Sequence, residues 1–79
     1  MRLRLYLTFN IGNITKPLIW QLGRDFSVIT NIRTAEVKES TGLVGIELDG
    51  AEEQIDAAIV WLKSEGVQVE PIEQDVIEG

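Results

Sequence analysis

Apolar residues along this chain recur first at every second position, then at helical spacing, and this switch repeats. Leu3, Leu5, Leu7 and Phe9 alternate with Arg2, Arg4, Tyr6 and Thr8, the signature of a strand with one face in water. Asn10-Ile11-Gly12-Asn13 is a turn-rich connection. Leu18, Ile19, Leu22 and Phe26 then share one helical face, with Thr15 the expected N-cap and Pro17 in the first turn, where its missing N–H is not needed. Trp20 points off that face, beside Gln21 and Arg24.

A second strand starts at Val28, where strict alternation breaks. Val28 and Ile32 are in phase, whereas Ala35 and Val37 have the opposite parity, and a bulge between Ile32 and Ala35 would bring both sets to a single core. Residues 38–42 read as a hairpin loop, and Val44, Ile46 and Leu48 as the inward face of a third strand. Asp49 or Gly50 is the expected cap of a second helix, with Glu52 and Glu53 favourable at the positive end of its dipole. Its buried stripe is Ile55, Ala58, Ile59 and Leu62, with Ala51 in line, and Gly66 stops it. Val67 and Val69 open a short last strand limited by Pro71.

Two strand–helix–strand units joined by a hairpin have few stable arrangements. Right-handed crossovers place the first and third strands together at the centre and both helices on one face. The expected fold is therefore α+β, a ferredoxin-like βαββαβ sandwich with a four-stranded antiparallel sheet. The expected domain spans residues 1–72, and residues 73–79 form an acidic, loose tail in which Val76 and Ile77 are the only residues suited to docking. The second and fourth strands are edges. Arg33 and Glu36 deter edge pairing only in part, and with so small a core a homodimer is expected.

The chain has 79 residues, no cysteine and no histidine. This excludes disulfides, thiolate chemistry, iron–sulfur ligation and the usual zinc ligands, and it favours a reducing, cytoplasmic setting. The alternating N-terminus is unlike a signal peptide, and the apolar run from Ala57 to Leu62 is too short to span a bilayer. A net charge of −6 argues against nucleic acid. Tyr6, Arg2 and Arg4 on the open face suggest an RNA-binding sheet, but Glu47 and Asp49 on the neighbouring strand make charge pairing the better reading. The glycines are scattered among turns and caps and form no phosphate-binding loop. The paired carboxylates sit in a helical first turn and a hairpin, where they are solvated. No catalytic group, metal site or cofactor is expected.

Two residues remain. Trp20, off the core face, is either an anchor for a protein partner or a cover over apolar surface. Asn31 is a poor strand former on an edge, able to bond a ligand or an incoming backbone, or to cap its own bulge.

In order and spacing, Lys16-Pro17-Leu18-Ile19, Asp25-Phe26-Ser27-Val28, Asn31-Ile32, the run from Ala57 to Leu62 and Gly66-Val67-Gln68-Val69 resemble the NIL domains. These occur at the C-terminus of ATP-binding subunits of methionine-import transporters, joined to some ferredoxins, and alone. The resemblance implies a regulatory module that pairs with a second copy and binds methionine or a related sulfur compound at the interface. It implies Asn31 as the residue that bonds the ligand or the facing strand, with Ile32 shaping an apolar wall. Arg33 stands where the family usually has an aliphatic residue, and a guanidinium there suits a carboxylate. With no ATPase domain and no ferredoxin cysteines, the chain is expected to act on a separate protein, to act as a free sensor, or to have another task.

Overall fold

The computed structural model describes residues 1–72; the expected tail, with Val76 and Ile77, lies outside the described residues. The element order is β1 (Arg2–Phe9), α1 (Leu18–Asp25), β2 (Val28–Val37), β3 (Gly42–Gly50), α2 (Glu52–Ser64) and β4 (Gln68–Pro71). The sheet order is β2-β3-β1-β4, every neighbouring pair antiparallel, with β2 and β4 at the edges. This is the expected ferredoxin-like sandwich.

Alternation in β1 and β3 builds the core directly. Leu5, Leu7 and Phe9 oppose Ile46, Val44 and Gly42, and all face the helices. Leu18 and Leu22 of α1 and Ile55, Ala58 and Leu62 of α2 complete the core, with Val67 sealing its end. Phe26 and Trp61 meet as a tilted aromatic pair 5.7 Å apart, and Trp61 packs against the core. On the open face, Arg2 pairs with Asp49 at 3.6 Å and Arg4 with Glu47 at 3.2 Å, the charge pairing expected there.

Both helices begin later than the sequence suggests. Pro17 holds the N-cap position of α1, and Thr15 makes no cap. A residue before proline is kept out of the α region, so Lys16 cannot serve as a first helical residue behind a cap at Thr15. In α2 the cap position is Ala51, which is exposed and outside the buried stripe. Gly50 is still part of β3, its N–H bonded to the Met1 carbonyl, so neither it nor Asp49 is free to cap the helix.

Gly66 does end α2, with φ of +88°. The Val67 N–H reaches the Leu62 carbonyl at 3.1 Å and the Gly66 N–H the Lys63 carbonyl at 3.0 Å, a Schellman motif whose apolar contact is Val67 on Leu62. Gly66→Ala is expected to lower stability by about 1 kcal/mol, read as a lower urea midpoint with unchanged slope.

The bulge in β2 is present, at Arg33. Ile32 pairs with Ile46 and Thr34 with Gly45, so Arg33 is the extra residue. It places Ile32, Ala35 and Val37 on the helix side, opposite Ile46, Val44 and Gly42. They do not join the core, however: Ile32 is 51% and Val37 68% exposed, and Ala35 is exposed too. The reason is reach. Eight residues of helix span about 12 Å, while ten residues of strand span about 33 Å, so α1 cannot cover β2.

Candidate functional site

The bulge decides where the three site residues of β2 point. Asn31 pairs with Glu47 and lies on the open face, away from the helices, whereas Ile32 lies on the helix side. Arg33 is the unpaired residue between two open-face rows, Arg4–Glu47–Asn31 and Tyr6–Gly45–Thr34. The structure therefore brings Asn31 and Arg33 to one face and turns Ile32 to the other. All three are exposed. Among the described residues, Asn31 makes no side-chain hydrogen bond, so its amide does not cap the bulge and keeps its donors and acceptor for something else.

Hollows border β2 on both faces of the sheet. The first lies on the open face, has a volume of about 280 Å³, and is lined by Arg4, Tyr6, Arg33, Thr34, Gly45 and Ile72. It exists because residue 45 carries no side chain. A Cβ there would lie 2.7 Å from Thr34 Oγ1 and 3.4 Å from Tyr6 Cε1. A glycine inside a strand often marks a close approach, and Gly45 was the signal in the sequence for this feature. The second hollow, about 230 Å³, lies on the helix side between the start of α1 and the β2–β3 hairpin, where Ile14, Ile19, Trp20, Val37 and Val44 form an apolar lining.

Trp20 borders that second hollow and is 61% exposed, so it does not fold away as a cover. The Arg24 guanidinium lies 4.5 Å from its ring centre, and Arg24 Nε bonds Asp25 Oδ1 at 2.7 Å. That bond holds the Asp25 carboxyl below its ordinary pKa and the guanidinium above its own. The result is a fixed, solvated aromatic surface at the opposite face of the sheet from Asn31. Among the described residues, no group of three or more acidic side chains comes together at metal-binding distance, and no helix is long and apolar enough to cross a membrane.

A residue missed entirely in the sequence is Asn13, only 3% exposed. Its Oδ1 accepts the Asn10 N–H at 2.7 Å and its Nδ2 donates to the Glu65 carbonyl at 3.2 Å. It ties the β1–α1 connection to the end of α2, a positioning role far from β2.

The described residues thus form a two-helix antiparallel sandwich with an uncovered, bulged edge strand. The sequence model of the NIL domain family matches residues 3–71, and the chain belongs to that family. It is 34% identical over 70 residues to the methionine import ATP-binding protein MetN of Geobacillus kaustophilus (strain HTA426), across 84% of this chain. It spans only 20% of that relative's length. Among solved structures, the C-terminal domain of an ABC transporter ATP-binding protein from Enterococcus faecalis superposes with a TM-score of 0.79. The two are 26% identical, and the match covers 92% of this chain and 86% of that one.

Proposed function

We propose that this chain is a non-catalytic regulatory domain that binds an amino acid, methionine or a related sulfur compound, between two copies of itself. The observation that carries the reading is Asn31, an exposed amide without a hydrogen-bond partner among the described residues, on an edge strand and within the span matched by the family. The relative's name, a methionine import ATP-binding protein, supports methionine as the first ligand to try. The uncovered row of Ile32, Ala35 and Val37 supports the pairing, because a second copy would remove it from water. A domain of this kind would act in the cytoplasm.

The test is a heteronuclear NMR titration of the labelled protein with L-methionine, with oligomeric state read by sedimentation on the same sample. Saturating shifts clustered around residues 28–35 are expected. Asn31→Ala is expected to weaken binding roughly fivefold to tenfold, the loss of one neutral hydrogen bond. Ile32→Lys is expected to shift the protein from dimer to monomer. A flat titration would leave a protein adaptor as the better reading. Trp20, held open by Arg24 at the far face, is the observation that favours that second reading.

A further inference from the structure

The geometry points to the open-face groove over Gly45 as the seat of the small ligand, with Arg33 as the anchor for its carboxylate. This rests on the reading that the chain binds an amino acid, and it adds where the ligand lies and which residues, beyond Asn31, select it.

Charge is the first argument. The protein carries a net charge of −6, yet Arg33 makes no ion pair among the described residues. The other guanidinium at the groove, Arg4, is compensated by Glu47 through its Nε. Among the described residues the groove thus offers one uncompensated cation, the complement of one carboxylate, and Arg is the side chain best shaped to grip it bidentately. Acids are also present on this face. Glu47 is already engaged by Arg4, but Glu70 stands opposite Tyr6 on β4, beside the groove, and is an acid of the sign that an ammonium group needs.

Shape is the second argument. The volume, about 280 Å³, falls just below the roughly 300–1,000 Å³ of sites for drug-sized ligands, a size for one amino acid and not a peptide. Tyr6 and Ile72 give it an apolar wall, and an aromatic ring is a favourable neighbour for a thioether. The floor depends on Gly45, where any Cβ would push against Thr34 and Tyr6. The bulge supplies the anchor, because one extra residue lets Arg33 and Thr34, consecutive in the chain, both border the groove.

The experiment titrates the labelled full chain with L-methionine and with L-methioninol, which lacks the carboxylate. Methionine is expected to shift the amides of Tyr6, Arg33, Thr34 and Gly45, with methioninol about tenfold weaker or worse, the loss of a charge-assisted bond. Arg33→Gln is expected to weaken methionine by a similar factor and Arg33→Lys to recover part of it. Gly45→Ala is expected to abolish the shifts; should it unfold, the exposed Arg33→Gln variant decides alone. Methionine shifts elsewhere, unchanged by Arg33→Gln, would overturn the groove and leave the amino-acid reading standing. No shifts with methionine at any concentration would overturn both.

Discussion

Leu62→Ala is expected to leave the domain at the edge of unfolding at room temperature. Leu62 is fully buried on the face of α2 turned to the sheet, in the same core cluster as Val67 just past the helix end. Truncating such a leucine costs about 3–5 kcal/mol, the transfer term plus a cavity that the surroundings fill only partly. A chain of 79 residues has little to lose. At roughly 0.05–0.15 kcal/mol per residue its total stability is about 4–12 kcal/mol. The core cannot relax easily around the gap, because Leu5, Leu7, Ile46 and Leu48 are held in strands paired on both sides. Urea unfolding followed by circular dichroism and by tryptophan fluorescence would show the midpoint fall by about a quarter or more. Val60→Ala, two residues earlier on the exposed side of the same helix, should move it little. A small shift for Leu62→Ala would mean that the core is looser than this packing implies.

The same helix shows why most of the fold could be read from the chain. In β1, β3 and α2 one periodic apolar face meets one buried surface, so residues such as Leu5, Ile46 and Ile55 are found by spacing alone. Parity also located the bulge in β2 and the face that Ile32 and Val37 share. What parity lacks is length: it assigns a residue to a face but does not say whether a neighbour reaches far enough to cover it. The short α1 leaves Ile32 and Val37 in water, and only the assembled layers reveal that. The cap positions slipped for a related reason. Thr15, Asp49 and Gly50 are good cap residues in isolation, but Pro17 and the pairing of β3 with β1 claim the backbone around them.

The candidate site was legible as residues and not as a shape. Asn31 and Arg33 stand out in a strand by chemistry, whereas the groove beside them depends on Tyr6, Gly45 and Thr34, contributed by three different strands. None of those marks a groove by itself. Gly45 in particular reads as a weak point in β3 until the register sets it between a tyrosine and a threonine.

The second large effect is expected at Asn13, a residue that nothing in its neighbourhood of the sequence marks. A loop asparagine between Gly12 and Ile14 reads as turn chemistry, and its main partner is 52 positions away. Asn10 and Asn13 first close a local box: Asn10 Oδ1 accepts the N–H groups of Gly12 and Asn13, and Asn13 Oδ1 accepts that of Asn10. The remaining group, Nδ2, donates to the Glu65 carbonyl, one of the acceptors left over at the end of α2. Asn13→Ala removes one donor and one acceptor from a nearly closed site and strands the Asn10 N–H and that helix-end bond, at a cost of about 2–4 kcal/mol. Asn13→Asp separates the two halves of the role. It keeps the acceptor for Asn10 but replaces the donor with a negative charge facing a carbonyl at the negative end of a helix dipole. The aspartate variant is therefore expected to be no more stable than the alanine one near neutral pH. It should recover toward the native protein in acid, as the introduced carboxylate takes up a proton and regains a donor. Thermal unfolding of both variants across acid and neutral pH reads this directly. An alanine variant within a few tenths of a kcal/mol of the native protein would mean that Asn13 fills the site without holding it.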